Sequence, residues 1–253
     1  MIFSRVYGKG APLVIIHGLF GMSDNWNTLG KRFAEKFNVH IVDLRNHGRS
    51  FHSNDFSYNL MAEDIEKYIH SLNLVSPIII GHSLGGKVGM NLAFRNNIKF
   101  SKLIVVDIAP KKYSVDFHKN ILEFLSSISI KEFSNRVQID ELLSSEIKDF
   151  SVRQFLMKNL YRDTKKEFNW RFNIMVLKEK LDNISGIDFL DKKINIPTLF
   201  LSGERSNYIN EDDKQLISNY FDNYQIYTIE NSGHWIHAEQ PELFYNSVMS
   251  FIN

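Results

Sequence analysis

The chain contains no cysteine, which excludes disulfide frameworks, thiolate nucleophiles and thiolate metal sites. It also lacks long apolar runs. Stretches such as Leu13 to Ile16 and Ile78 to Ile80 fall far below the roughly 18 residues that mark a membrane span. An excess of one charge is missing as well. Lys and Arg number 30 against 29 Asp and Glu, a formal net charge of +1, so no bulk field recruits nucleic acid or an anionic lipid surface. The basic residues form no aromatic-interleaved stripe for nucleic acid, and no H-E-x-x-H pattern or clustered His/Asp set points to a metal. The opening residues Met1-Ile2-Phe3-Ser4-Arg5-Val6-Tyr7 lack the basic start, apolar stretch and small-residue cleavage site of a secretory signal. The expectation is a cytoplasmic protein with no cofactor, no nucleic-acid partner and no membrane span.

What is present is an ordinary globular composition, 43% hydrophobic and 23% charged over 253 residues. That length suits one large domain, or one domain carrying an insertion. Short apolar runs recur, each closed by turn-forming residues: Pro12 to Ile16, Val39 to Leu44, Pro77 to Ile80, Leu103 to Val106, Ile196 to Leu201 and Tyr224 to Ile229. Runs this short, rich in Val and Ile, predict buried strands of a parallel sheet. Between them, Asp24 to Phe37, Leu60 to Leu72 and Leu84 to Phe94 carry apolar residues at helical spacing. Alternating strand and helix predicts an α/β doubly wound, mostly parallel sheet, whose sites lie at the carboxyl ends of the strands. The alternation breaks from Lys111 to Lys193. There Phe117, Ile121, Phe124, Leu125 and Ile128 share one helical face, and Phe155, Leu156, Leu160 and Tyr161 suggest another helix. The predicted division is a core of residues 1–110 and 194–253, with 111–193 inserted as a helical cap.

The strongest chemical signal is Gly81-His82-Ser83-Leu84-Gly85, a G-x-S-x-G pattern placed between a strand and a helix. A sharp turn there lifts the serine hydroxyl out of the strand, and the flanking glycines leave room for it. A phosphate-binding loop competes for the same stretch, since Gly81 to Lys87 also fits G-x-x-x-x-G-K. That chemistry needs Ser or Thr after the lysine to ligate Mg²⁺, and Val88 stands there. A serine hydroxyl needs a base. Of nine histidines, His234 follows the last predicted strand and satisfies the order serine, acid, histidine. His82 is expected to pack beneath the turn, His17 and His47 to bind backbone in their own turns, and His237 to be structural. Backbone N–H donors for an oxyanion are expected from Leu84, directly after the serine, and from Leu19 in the turn after the first predicted strand, with Phe20 as the substitute.

The His17-Gly18 turn, Asp43 to Ser50, Gly81 to Lys87 and Gly233-His234-Trp235 resemble the α/β-hydrolase superfamily. His17 to Gly21, Arg45-Asn46-His47-Gly48, Lys87, Val106 to Pro110 and Trp170-Arg171-Phe172-Asn173 resemble, within it, the YbfF-type esterases and their mitochondrial abhydrolase-domain relatives. The likeness runs from about Val14 to about Pro241. It implies hydrolysis of acyl esters or thioesters beneath a helical cap. Most of the superfamily carries its acid after the next-to-last strand, where this chain has Gly203-Glu204-Arg205-Ser206-Asn207. The YbfF-type group instead resembles this chain in having Asp after the strand that follows the serine turn's helix, which is Asp107. Glu204 is the substitute acid, and Asp212 and Asp213 read as solvated residues at a helix start.

The leading expectation is therefore a serine hydrolase of small-molecule acyl esters or thioesters, with Ser83 as nucleophile, His234 as general base and Asp107 as orienting acid. C–C bond hydrolysis or lyase chemistry on the same scaffold is the second. A ligand receptor that keeps an idle pocket is the third, and a reactive Ser83 would separate it from the other two. Oligomeric state is left open by the sequence.

Overall fold

The computed structural model describes residues 1–187 and 193–253. Strands β1 (Ser4–Tyr7) and β2 (Pro12–Ile16) open the chain. A 3-10 turn (Ser23–Trp26) leads into α1 (Asn27–Phe33), followed by β3 (Asn38–Val42), α2 (Tyr58–Ser71), β4 (Ile78–His82), α3 (Leu84–Arg95) and β5 (Lys102–Val106). After β5 come α4 (Asp116–Ser127), α5 (Arg136–Ser144), α6 (Phe150–Met157), a hairpin of β6 (Leu160–Arg162) and β7 (Phe168–Trp170), and α7 (Ile174–Glu179). The chain then runs through β8 (Thr198–Gly203), α8 (Glu211–Tyr220), β9 (Tyr224–Ile229), α9 (Ile236–Glu239) and α10 (Pro241–Ile252).

Seven strands form one sheet in the order β1-β3-β2-β4-β5-β8-β9. Only β1 is antiparallel to its neighbour; the other pairs are parallel. This is the α/β fold expected from the alternation. Both faces are covered, so the inner strands β2, β3, β4, β5 and β8 bury nearly every side chain. Leu13 and Ile15 of β2 pack with Trp26, Phe33, Phe244 and Val248 on one face. Val14 and Ile16 pack on the other, with residues of α2 and α3. Because β2, β4, β5, β8 and β9 run the same way, the turns after them open on one edge of the sheet. The residues singled out in the sequence, Leu19, Ser83, Asp107 and His234, all follow these strands.

Two local expectations are corrected. Leu160 and Tyr161 do not continue a helix. The helix stops at Met157, and both residues enter the antiparallel hairpin, where Leu160 pairs with Trp170. Buried Asn159 makes the break, its side-chain amide donating to the Phe20 carbonyl at 2.8 Å. Asp213 is not solvated. It is buried, faces Lys111 Nζ at 2.7 Å and closes a reciprocal cap with Asn210 at the start of α8. The end expected for the insertion, at 193, adjoins residues 188–192, which lie outside the described residues. Among the described residues no helix is long and apolar enough to cross a membrane.

Candidate active site

Ser83 sits between β4 and α3 with φ 50° and ψ −113°. A non-glycine residue holds such a conformation only when its surroundings enforce it. Here they do. The Ser83 amide donates to the Val106 carbonyl at 2.9 Å and its carbonyl accepts from Lys87 N at 3.0 Å. A Cβ on Gly81 would lie 2.2 Å from the Gly85 carbonyl oxygen, and one on Gly85 would lie 2.3 Å from the Ile16 carbonyl oxygen. Both positions therefore require glycine. The strand and helix expected on either side of the G-x-S-x-G pattern are present, and the hydroxyl stands at the N-terminus of α3, where the helix dipole favours negative charge.

The next strand ends similarly. Asp107 follows β5 with φ 53° and its side chain is fully buried. Its Oδ2 lies 2.7 Å from Nδ1 of His234 and also accepts the Ser206 hydroxyl, while Oδ1 accepts from the Gly203 amide at 3.1 Å. Paired through Nδ1, His234 keeps Nε2 as its uncommitted ring nitrogen. Tyr208 stacks on the His234 ring at 4.0 Å, fixing its plane. Glu204, the substitute acid, is exposed and accepts the Asn231 amide at 2.8 Å; the hydrogen bond to His234 belongs to Asp107.

The loop after β2 is tied down by two buried histidines. His17 Nε2 accepts from Leu44 N at 3.0 Å, and its Nδ1 is 2.8 Å from the Gly18 carbonyl. His47 Nε2 accepts from Phe20 N at 3.2 Å, and its Nδ1 is 3.0 Å from the Arg45 carbonyl. Burial lowers His17 to about 4 and His47 to about 3, so both are neutral and can accept through one nitrogen. The Phe20 amide is thus committed to His47, which favours Leu19 over its substitute. Leu19, Ser83 and Leu84 line a common cavity. Leu84 is the first residue of α3, so its N–H has no partner four residues back in the helix.

The remaining singled-out residues have structural positions. His82 is buried, with Nε2 2.9 Å from the His234 carbonyl, and burial followed by His234 and His237 holds it well below the usual range. His237 stacks on Trp26 at 4.0 Å. Lys87 is buried; its ammonium donates to the Lys111 carbonyl and lies 5.2 Å from the Tyr113 ring centre. Burial lowers it to about 7, Lys111 acting in the same sense and Asp213 opposing. An amine so engaged is not poised to grip a phosphate. The Trp170 to Asn173 stretch clamps the loops from above. Asn173 N donates to the Asn46 carbonyl at 2.9 Å, and Phe172 packs against Phe20 with ring centres 5.1 Å apart.

Two cavities meet at Ser83. One adds His234, Trp235 and the apolar side chains of Phe117, Ile121, Val152, Phe155 and Leu156. The other adds Leu84, Ile108, Tyr58, Tyr113, Ser185 and Tyr208. Both include Leu19 and His118. Phe117 and Phe155 line the first cavity, whereas Phe124 packs on the core and Trp170 stacks on Phe172. Tyr208, His118 and Ser206 were not assigned to the site from sequence, because each reaches it through tertiary contacts that local spacing does not carry.

A model of the α/β-hydrolase fold matches residues 11–241. The chain is 36% identical over 249 residues to an sn-1-specific diacylglycerol lipase of Mus musculus, covering 95% of this chain and 80% of that one. It is 30% identical over 245 residues to esterase YbfF of Escherichia coli, covering 97% and 94%. A solved marine microorganism esterase superposes with a TM-score of 0.95 at 41% identity, covering 99% and 98%. The chain belongs to the α/β-hydrolase family. Within that family it is a hydrolytic enzyme of the group to which YbfF and the abhydrolase-domain proteins belong.

Proposed function

We propose that the protein is a serine esterase that cleaves small carboxylic esters or acyl thioesters through an acyl-enzyme on Ser83. The observation that carries this is the 2.7 Å contact of His234 Nδ1 with buried Asp107, with His234 and Ser83 on one cavity. The names of its relatives, esterase and lipase, support an ester as the substrate.

In this mechanism His234 Nε2 takes the Ser83 proton as Oγ attacks the carbonyl carbon, and Asp107 stabilises the imidazolium without accepting the proton. The carbonyl oxygen becomes an oxyanion held by the Leu19 and Leu84 amides. Collapse breaks the bond to the alcohol or thiol, which leaves with the proton from His234. Water then attacks the acyl-enzyme by the same route, releasing the acid and restoring Ser83. The segment proposed as a cap contributes Phe117, Ile121, Val152, Phe155 and Leu156 to the wall of the cavity beside His234.

The test is a fluorophosphonate, which phosphonylates an activated serine, followed by peptide mass analysis. Labelling at Ser83, blocked by a hydrolysable ester, is expected. An unlabelled Ser83 in an enzyme that still turns over esters overturns the proposal.

A further inference from the structure

His118 is the only histidine between residues 111 and 193, and α4 places it on both cavities that meet at Ser83. Its ring lies 5.9 Å from that of Phe20 and 5.5 Å from that of Phe117. Among the described residues no group hydrogen-bonds to either of its nitrogens. The buried histidines beneath the site differ: His17, His47 and His82 each spend ring nitrogens on backbone groups.

Several of the other polar groups on these cavities already have partners. The Tyr58 hydroxyl donates to the Ile184 carbonyl at 2.9 Å, and that of Tyr113 donates to the Tyr208 carbonyl. Ser83 and His234 are given to the reaction, and His82 to the His234 carbonyl. Tyr208, Trp235 and Ser185 also keep side-chain hydrogen-bonding capacity, but each lines one cavity; apart from Ser83, His118 is the polar side chain that lines both, set among aromatic and aliphatic walls. A polar group in such a place is normally satisfied, and here the open side is the substrate cavity.

We infer that His118 is a substrate-contacting residue that hydrogen-bonds a second oxygen of the ester, a hydroxyl, ether or carbonyl oxygen within a few bonds of the scissile carbonyl. The enzyme thereby selects oxygen-bearing esters over their hydrocarbon isosteres. This rests on the serine-esterase proposal above and adds its substrate class. Burial, then the nearby His234, lowers His118 to about 4, so at neutral pH it offers one N–H donor and one nitrogen acceptor. That pairing suits a neutral oxygen function better than an anion. His118 also lacks a carboxylate comparable to the one that orients His234, so it is not a second general base.

The test compares matched esters: p-nitrophenyl methoxyacetate with the butyrate for the acyl limb, and 2-methoxyethyl acetate with butyl acetate for the alcohol limb. Each pair is measured with wild type, His118→Phe and His118→Asn, with circular dichroism confirming the fold. Comparing ratios between variants cancels the intrinsic reactivity of each ester. In at least one limb, His118→Phe should lower kcat/KM on the oxygenated ester by about tenfold more than on its isostere, as for one lost hydrogen bond. His118→Asn, which keeps a donor and an acceptor, should recover part of that selectivity. Ratios within twofold of wild type in both limbs, or equal losses on both members of each pair, overturn the inference. Those results leave fluorophosphonate labelling of Ser83 intact, so failure here is distinct from failure of the esterase proposal.

Discussion

The Ser206 hydroxyl donates to Asp107 Oδ2, the same oxygen that lies 2.7 Å from His234 Nδ1. Ser206 follows β8 and Asp107 follows β5, which are adjacent parallel strands, so both positions open on the same edge of the sheet. The two places from which an acid could reach the histidine are thus both occupied, one by the carboxylate and the other by a hydroxyl that steadies it. The Gly203 amide, at the end of β8, holds the other carboxylate oxygen. Two strand ends therefore cooperate in fixing one imidazole.

Ser83→Ala is expected to leave a folded protein whose ester hydrolysis is reduced by about 10⁴-fold or more, since the attacking group is gone. Steady-state kinetics on a p-nitrophenyl ester, beside a circular dichroism spectrum, provide the check. Near-wild-type turnover in the folded variant contradicts the mechanism.

The parallel strands were legible because buried apolar runs such as Ile78-Ile79-Ile80 need no tertiary information to be recognised. β1 was not: Ser4-Arg5-Val6-Tyr7 is a partly exposed edge strand, paired to β3 alone, and its pattern carries no buried face. The β6–β7 hairpin was obscured because Phe155, Leu156 and Leu160 keep helical spacing across the break at Asn159. Ser83 and His234 announced themselves through local motif and chain order. The pairing of Lys111 with Asp213, 102 residues apart, and the place of His118 between two cavities arise only from folding.

Stability should fall as the solution is acidified from about pH 6.5 toward pH 4. Burial lowers His17, His47 and His237 from 6.5 to about 4, 3 and 3. In that window the unfolded chain binds protons that the folded one refuses, so acid favours unfolding. The stability that these groups contribute is fully present above 6.5 and is lost through their folded pKa values. Thermal melts across this range should show Tm declining with pH, and less steeply in His237→Phe, which retains a ring to stack on Trp26. A pH-independent Tm rules this out.

Residues after β5 should set chain-length preference on the His234 side of the site. Phe155 lines that cavity and its ring lies 5.5 Å from that of Trp235. Phe155→Ala opens space there, so selectivity should move toward longer esters by about tenfold, the scale for one or two methylenes in an apolar pocket. A homologous ester series measured as kcat/KM tests this. An unchanged profile in a folded variant counts against a cap that shapes the substrate.

Hydrolysis by serine and histidine needs no metal ion, so activity should survive dialysis against EDTA. Loss of activity restored by a divalent cation would require a different mechanism.

The sharpest prediction concerns which carboxyl group orients His234. Asp107→Asn preserves size, and asparagine tolerates the φ of 53° found there much as aspartate does. It replaces an anion with a neutral amide, which neither stabilises the imidazolium nor favours the tautomer protonated on Nδ1. By analogy with the same change in serine proteases, kcat should drop by up to about 10⁴-fold. Glu204→Gln alters an exposed side chain whose contact is the Asn231 amide, and should cost about tenfold at most, because it lacks that orienting role. Ser206→Ala removes a donor but leaves the carboxylate bonded to Gly203 and His234, so its effect should fall between the two. All three variants are compared on one ester, with circular dichroism confirming each fold. A crippled Glu204→Gln beside a nearly active Asp107→Asn would move the acid to the end of β8 and leave Ser83 and His234 in their places.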